Sequence, residues 1–341
     1  MSIETHVYLE ASSALDRLAG ALDRNGQSGE ADNYFKIAAE IELLSQELQR
    51  CWGGPFNGQE GRRQLIKKLI TALSPTAIIE TGSYRGVTTK WLGENFDGEV
   101  LSCELKKIYF YQARANTAGL SNVKIELLDS TEFLLRLPAT VGGRTPLFYL
   151  DSHWEEYLPL RKEIEIIIQR FPDATIVIDD FRVPNDPGYG WDNYGPGNAL
   201  ELDHLQPFQT SGYTFYFPTF PSSQETGAVR GCCVMTKNAI ETLDGLRNLK
   251  GGTWKFWRER TRAALDVFQD VRVMVQNPAP TYQKEELSYP DQISFLNRVC
   301  NERLDVITDL KRICDERLAA IESLTTECEA RLKIIESLGK K

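Results

Sequence analysis

The sequence predicts an α/β fold in which helices alternate with the strands of a mostly parallel sheet. Short apolar runs rich in β-branched residues recur between helical stretches from residue 77 to residue 178, and this alternation is typical of parallel sheets. The first run leads through a glycine turn into a helix. Acidic residues follow one run after another, so we expect them together at the carboxyl edge of the sheet, where ligands of such folds bind.

The composition indicates a soluble protein without a nucleic-acid surface. The chain has 341 residues, of which 42% are apolar and 26% charged, and its net charge of −9 disfavours binding to phosphate backbones. It contains no run of about 20 apolar residues that would span a membrane, and its N-terminus lacks the pattern of a signal peptide. We therefore expect a cytoplasmic protein. Its seven cysteines include no CxxC pair, which favours reduced thiols over disulfides or a zinc site.

Changes in pattern divide the chain into four segments. Residues 1–51 are predicted to be helical, residues 52–277 form the α/β domain, and the proline-containing residues 278–293 form a hinge. Two apolar stripes mark the first segment: Leu15, Leu18, Ala19 and Leu22, then Ile37, Ile41, Leu44 and Leu48. We interpret this segment as a helical cap on the α/β domain or as a dimer contact.

Residues 294–341 predict a coiled coil. Three 14-residue units begin at Cys300, Cys314 and Cys328, and each places four apolar positions in 14 residues, a mean spacing of 3.5. This period is that of a left-handed coiled coil. The pattern favours a homo-oligomer, a parallel dimer or trimer, over a helix that folds back on its own domain.

The glycine turn after the first strand is the clearest candidate binding element. The strand at residues 77–79 ends in Glu80, and Gly82 and Gly86 then flank the turn before a helix that begins near residue 87. A second strand at residues 100–102 is followed by Glu104, which is placed to bind a pair of ribose hydroxyls. Tyr84 stands where a dinucleotide-binding turn would need its second glycine. An acid before the first glycine suits a positively charged ligand without phosphate.

The residues Glu80, Gly82, Gly86 and Glu104 resemble those of class I methyltransferases that use S-adenosylmethionine. The stretch ETGSYRG is similar to a variant motif in enzymes of macrolide-sugar and cephalosporin pathways. The resemblance covers about residues 52–236. It implies a Rossmann-like sheet of seven strands, the last of them antiparallel, flanked here by the N-terminal helices and the C-terminal coiled coil. It further implies that Tyr84 lies in the cofactor site.

Four more residues are candidates for cofactor contacts. A third strand at residues 123–128 is followed by Asp129 and Ser130. In the family that the chain resembles, an acid at this strand end meets the adenine amino group, although Asp129 or Ser130 also suits the N-cap of the next helix. By the same resemblance, Asn57 and Gln59 precede the first strand in a segment that covers the methionine end of the cofactor.

Three aspartates predict a metal site. Asp151 follows a fourth strand at residues 146–150, and Asp179 and Asp180 follow a fifth at residues 174–178. Carboxylates that converge from neighbouring strands repel one another unless a hard cation such as Mg²⁺ binds between them. The three residues match the metal ligands of catechol-type and macrocin-type O-methyltransferases in order. The alternative is that Asp179 and Asp180 cap a turn while Asp151 contacts only the cofactor.

His153 is the candidate general base, because it lies two residues beyond Asp151 and histidine titrates near neutral pH. His204 is the alternative, although a helix-surface position is expected for it. The loop at residues 182–197 carries Tyr189, Trp191 and Tyr194 and is expected either to contact a sugar or polyol or only to pack its own aromatic residues. Arg230 is expected either to hold an acidic substrate or to pair with Glu225.

The leading hypothesis is an O-methyltransferase, assisted by Mg²⁺, that acts on a hydroxyl of a sugar, a glycan or another polyhydroxylated small molecule. One alternative is a hydroxylase, since cephalosporin hydroxylase-like proteins resemble this chain. Three histidines make the two-His-one-carboxylate site of a non-haem iron enzyme hard to assemble. The other alternative is a non-enzymatic oligomeric scaffold with a nucleotide-binding Rossmann domain.

Overall fold

The computed structural model describes residues 3–138, 141, 145–153, 158–195 and 197–261. They belong to the first of two units of the chain, Met1–Val273, and the second unit is Met274–Lys341. The predicted hinge at 278–293 and the coiled coil at 294–341 lie outside the described residues. None of the described helices is long and apolar enough to cross a membrane.

One sheet of eight strands forms the centre of the α/β unit. In chain order the strands are β1 (Ala77–Thr81), β2 (Glu99–Glu104), β3 (Val123–Leu127), β4 (Leu147–Leu150), β5 (Thr175–Asp179), β6 (Thr214–Pro218), β7 (Cys232–Thr236) and β8 (Leu249–Gly252). Their spatial order is β3-β2-β1-β4-β5-β7-β6-β8. Strands β1 to β5 are parallel, and β7 lies antiparallel between β5 and β6. The predicted Rossmann-like α/β fold with an antiparallel seventh strand is confirmed.

The eighth strand was not expected from the sequence. It pairs antiparallel with β6 at the edge of the sheet, and Gly251 lies opposite Tyr216. A Cβ atom on Gly251 would lie 2.4 Å from the Tyr216 ring, so this pairing depends on a residue that sequence rules assign to turns.

Helices cover both faces of the sheet. They are α4 (Glu60–Leu73), α5 (Val87–Asn95), α6 (Lys107–Asn116), α7 (Ser130–Arg136), α8 (Leu160–Arg170) and α9 (Ile240–Asp244). Apolar residues of α7 and α8 pack in one core with Ile176 and Ile178 of β5, whereas residues of α4, α5 and α9 pack in a second core with Val177. Because successive strand residues face opposite sides, β5 is buried on both faces, as expected for a central parallel strand.

The N-terminal segment is helical, as predicted, and contains α1 (Ile3–Arg24), α2 (Ser28–Leu43) and the short α3 (Gln46–Gln49). Ala31, Phe35 and Ala38 of α2 form a small core with Ile108 of α6. The predicted stripes are only partly right: Ala19 and Leu48 are buried, but Leu18, Ile37 and Leu44 are 44%, 44% and 64% exposed. The buried face instead uses alanines, which let the helices approach closely.

Candidate functional site

The two glycines of the turn after β1 are required by close contacts within the chain. Gly82 has a φ of +83°, and a Cβ atom there would lie 2.3 Å from the main-chain oxygen of Asp151. Gly86 has a φ of +74°, and its Cβ would lie 2.6 Å from the Cα of Ala113 on α6. Packing within the chain therefore requires glycine at both positions, whether or not a ligand binds there. The contact at Gly82 also joins the turn directly to the residue that follows β4.

Tyr84 adopts the backbone conformation that a glycine would. Its φ is +46°, which is unfavourable for a residue with a Cβ atom. Its ring packs edge-on against Tyr109 at 4.3 Å between centroids, and its main-chain N–H donates to Glu104 Oε2 at 2.8 Å. The turn is therefore held in a strained conformation by contacts with β2 and α6.

The two predicted acids of the turn differ in their surroundings. Glu80 is 1% exposed and accepts hydrogen bonds from Ser102 Oγ at 2.7 Å and from Thr89 Oγ1. Burial raises the pKa of Glu80 to about 7. Glu104 accepts one main-chain N–H on each carboxylate oxygen, from Tyr84 and, at 2.9 Å, from Lys106. Each oxygen keeps a further lone pair, so Glu104 can still accept a pair of ligand hydroxyls.

Asp129 acts as the N-cap of α7, as one of the two interpretations expected. Its Oδ1 accepts from the main-chain N–H of Thr131 at 2.9 Å and from the Thr131 hydroxyl at 2.5 Å. Ser130 is buried, with its Oγ 3.3 Å from Ser152 Oγ. Ser130 thus lies beside the chain that leaves β4, and a role of either residue toward adenine stays a prediction.

The segment before α4 is bound to the loop between β6 and β7. Both polar atoms of the buried Gln59 amide are used by the backbone of Arg230, with Nε2 donating to the carbonyl at 2.8 Å and Oε1 accepting the N–H at 2.9 Å. The carbonyl of Asn57 accepts from Ala228 N at 3.0 Å. Contacts of Asn57 and Gln59 with a cofactor stay predictions, and the Gln59 side chain has little capacity left for one.

Asp179 is engaged by a buried arginine that the sequence reasoning missed. Arg62 of α4 donates to Asp179 Oδ1, and the side chains of both residues are 2% exposed. Tyr149 also donates its hydroxyl to Asp179. Burial opposes the charge of Asp179, but the Arg62 guanidinium outweighs it and lowers the pKa of that carboxyl. A carboxylate neutralised in this way is a poor metal ligand.

The structure brings together Asp151, His153 and Asp180, each of which offers a ligand atom within 4.8 Å of the others. This set differs from the predicted Asp151, Asp179 and Asp180, because His153 takes the place of Asp179. Burial and then the neighbouring Asp179 carboxylate raise the pKa of Asp151 and raise that of Asp180 to about 7. A cation placed among these groups would relieve their repulsion.

His153 is 4% exposed, and neither of its ring nitrogens has a hydrogen-bond partner. Burial lowers the pKa of His153, although Asp192 lies 3.9 Å from Nε2 and opposes the shift. The imidazole is therefore neutral near pH 7 and able to accept a proton or a metal ion. His204 does not lie on a helix surface as expected: it is 6% exposed, within a 3-10 helix (Leu202–Phe208), and burial lowers its pKa to about 4.

Arg230 binds two acids of the site. Its Nε donates to Asp180 Oδ1 at 2.7 Å, and its NH2 group donates to Asp192. The expected pairing with Glu225 is wrong, because Glu225 instead accepts from the N–H of Gly61 in α4 at 2.9 Å. The guanidinium is therefore already neutralised, which disfavours the interpretation that it holds an acidic substrate.

The three aromatic residues of the loop at 182–197 have different surroundings. Tyr189 is 3% exposed and donates to the carbonyl of Phe220 at 2.8 Å, while Tyr194 donates to Asp192. Trp191 lies under the Arg182 guanidinium at 4.9 Å from the ring centroid, and its buried indole N–H has no partner. Of the three, only Trp191 has a polar group without a hydrogen-bond partner.

Comparison with known proteins gives structural likeness only. No protein-family model and no curated protein sequence matches the chain. The chain is similar in structure to cofactor-bound Rv0187 from MTB, with 17% identity, a TM-score of 0.41 and coverage of 61% of this chain and 88% of that one. It is also similar to the O-methyltransferase TomG from Streptomyces achromogenes, solved with SAM (16% identity, TM-score 0.37, coverage 52% and 79%). A third similar structure is an O-methyltransferase from Bacillus cereus in complex with SAH (17%, 0.38, 52% and 81%). Likeness of this degree supports no statement about function, which has to be argued from the residues of this chain.

Proposed function

We propose that the protein is an S-adenosylmethionine-dependent methyltransferase that methylates a hydroxyl group of a sugar, a glycan or another polyhydroxylated small molecule. A divalent cation, expected to be Mg²⁺, assists the reaction. The observation that carries the proposal is the neutral, buried His153 beside Asp151 and Asp180. Asp151 in turn lies against Gly82 of the glycine turn.

The turn supplies features that suit the cofactor. Glu104 has lone pairs left for the ribose hydroxyls at the end of β2. Glu80 lies beneath the turn, and a sulfonium or ammonium group nearby would favour its charged form. The helix α5 begins directly after Gly86, and its N-terminal amides face the turn.

The residues present fit a divalent cation. Asp151 and Asp180 are the proposed ligands, since Mg²⁺ is commonly held by one or two carboxylates and keeps several waters. When bound, such a cation would lower the pKa of an acceptor hydroxyl. Imidazole is a better ligand for Zn²⁺ or Fe²⁺ than for Mg²⁺ or Mn²⁺, which prefer oxygen ligands. We therefore assign His153 to proton transfer, and Mn²⁺ is a suitable spectroscopic probe for a Mg²⁺ site.

His153 takes the proton of the acceptor hydroxyl on a free ring nitrogen. As the new bond between that oxygen and the methyl carbon forms, the bond from the methyl carbon to sulfur breaks, and S-adenosylhomocysteine leaves without its positive charge. The proton on His153 then passes to solvent. Trp191 contributes its unused N–H to the acceptor. The hydroxylase alternative needs a second histidine ligand, and the grouped set within the described residues contains one.

Calorimetry with S-adenosylmethionine and S-adenosylhomocysteine tests the cofactor. We expect one site per chain with a micromolar or tighter Kd. The scaffold alternative predicts no binding, and that result with correctly folded protein would exclude the methyltransferase. Incubation of the protein with methyl-labelled cofactor and fractionated polyhydroxylated metabolites then identifies the acceptor class.

Titration with Mn²⁺, followed by electron paramagnetic resonance, tests the metal and separates the two roles of His153. We expect Asp151→Asn and Asp180→Asn to weaken Mn²⁺ binding and His153→Asn to leave it unchanged while abolishing methyl transfer. His204→Asn is the matched control, because His204 is also buried without partners but lies outside the group. Loss of Mn²⁺ binding in His153→Asn would make His153 a ligand instead of the base.

Assembly through residues 294–341 and a cytoplasmic location stay predictions. Light scattering of the full chain measures the mass in solution. A dimer or trimer is expected from the coiled-coil pattern, and a monomer at micromolar concentration would contradict it.

A further inference from the structure

Glu42 links the N-terminal helices to the glycine turn. It lies near the end of α2, is 5% exposed and accepts hydrogen bonds from Ser12 Oγ of α1 at 2.6 Å and Gln112 Nε2 of α6 at 2.7 Å. Its third partner is the guanidinium of Arg85. One buried carboxylate thus joins α1, α6 and the turn.

Arg85 is one of the two residues at the tip of the turn. Its side chain is 12% exposed, and its carbonyl accepts from Asn116 Nδ2 of α6 at 2.6 Å. It directly follows the strained Tyr84, whose main-chain N–H holds Glu104. An unfavourable backbone conformation persists only where its surroundings hold it in place, and the contacts of Arg85 with α2 and α6 do so from the outer side of the turn.

Other contacts dock the N-terminal helices without touching the turn. Lys107 of α6 pairs with Asp23 of α1 at 3.1 Å and with Asp32 of α2 at 3.0 Å. These ion pairs fix the same helices against the same helix α6. They therefore provide a comparison in which docking is weakened while the contact with Arg85 is kept.

We propose that Glu42 is a positioning residue for the cofactor turn and that the end of α2 supports cofactor binding through it. The inference rests on the proposed function, since it assumes that the turn binds S-adenosylmethionine. Glu42 acts through Arg85: it fixes the guanidinium, and the guanidinium fixes the turn in the conformation that presents Glu104. The helices of residues 3–43 are then neither a passive cap nor solely an oligomer contact.

Glu42→Gln is the sharpest substitution, because glutamine keeps the size of the side chain and removes its charge. The amide carbonyl can still accept from Arg85 and Gln112, which both donate to Oε2 of Glu42, but it carries no charge, so Arg85 loses its buried counter-ion. The turn then spends less time in the binding conformation, and the apparent Kd rises by the inverse of the remaining competent fraction. We expect the Kd for S-adenosylhomocysteine and the KM for S-adenosylmethionine to rise about tenfold, with kcat at saturating cofactor unchanged.

The control is the double variant Asp23→Asn/Asp32→Asn, which removes both acid partners of Lys107. We expect it to lower the melting temperature while the Kd of the cofactor stays at the wild-type value. If both variants change the Kd equally, Glu42 serves only to dock the helices and the inference is overturned. If the wild-type protein binds no cofactor, the proposed function itself fails, so the two failures are distinguishable.

Hydrogen exchange on the wild-type chain tests the same coupling without relying on a variant that folds. Because coupling between two sites is reciprocal, S-adenosylhomocysteine should slow exchange of the amides at residues 38–43, which lie outside the turn. Slower exchange in the turn alone would overturn the inference.

Discussion

Replacement of Arg62 by methionine is expected to cost about 3–5 kcal/mol in the free energy of unfolding. Arg62 and Asp179 form an ion pair in which both side chains are 2% exposed, and removal of one partner of a buried pair leaves an uncompensated charge that costs about this much. Arg62 also donates to the carbonyl of Arg230 at 2.8 Å, and that acceptor would lose this partner. Urea unfolding followed by tryptophan fluorescence measures the loss.

The dependence of this loss on pH identifies its cause. In the wild-type protein the pKa of Asp179 is lowered from 3.8, since Arg62 outweighs burial. Asp179 therefore contributes stability above the unfolded pKa, and this stability is lost as the pH falls through the folded pKa. Without Arg62, burial raises the pKa of Asp179, so the contribution of this carboxyl is lost as the pH rises. The difference between wild-type and variant should widen as the pH rises above about 4, the unfolded pKa of Asp179.

The double variant Arg62→Met/Asp179→Asn is the matched control. Asparagine carries no charge and can still accept from the Tyr149 hydroxyl, so we expect most of the lost stability to return and the widening with pH to disappear. A loss below about 1 kcal/mol in Arg62→Met, or one that is independent of pH, would refute the reasoning that this pair is buried and charged.

Three further substitutions test other contacts of the site. Arg230→Gln should strengthen Mn²⁺ binding in the resonance titration, because Arg230 occupies Asp180 Oδ1 at 2.7 Å and competes with a cation there. Glu80→Gln should change how stability depends on pH: the pKa of Glu80 is raised by burial from 4.5 to about 7, so ionisation costs the wild-type protein stability as the pH rises through this range, on the order of 3 kcal/mol relative to the variant. Gly82→Ala should lower the melting temperature and abolish cofactor binding, since its Cβ would lie 2.3 Å from a main-chain oxygen.

Two of these have a control, and all three have a contradicting result. Arg182→Gln removes an arginine that pairs with Glu201 at 2.7 Å, so equal strengthening of Mn²⁺ binding there would show a general charge effect. Gly119→Ala has no atom within 4 Å of the new Cβ and should be neutral, and Gly82→Ala with wild-type affinity would contradict the close contact. Identical pH profiles of wild-type and Glu80→Gln would mean that Glu80 is ionised in the fold.

Local pattern predicted the central sheet because each of the first seven strands carries an apolar run of its own. The strand β8 carries none: its Gly251 lies against the Tyr216 ring and its Gly252 against the Phe256 ring, where a Cβ atom would not fit. The positions of Glu80 and Glu104 followed from the strand ends, whereas the strained turn at Tyr84 depends on Tyr109 and Glu104, which are distant in sequence.

Asp179, one of the three predicted metal ligands, is paired with Arg62, and two features of the sequence pointed to this pairing. Alternation along β5 places Asp179 on the same face as Val177, the face that α4 covers. Arg62 precedes the buried Leu65, Ile66 and Leu69 at helical spacing, so a charged residue on that stripe indicated a buried partner. Both signals were present in the sequence, but the pairing of Arg62 with Asp179 joins elements more than 100 residues apart and needs the fold.

The hydrogen bonds between α4 and the loop from β6 to β7 bear on efforts to exchange this loop. Glu225 and Thr226 cap the first N–H groups of α4, and Gln59 pairs with both backbone groups of Arg230. The loop and the start of the helix therefore form one exchangeable module. A chimera that imports a foreign loop alone would leave the first amides of α4 and the buried Gln59 side chain without these partners, so residues 57–62 and 218–231 have to be transplanted together.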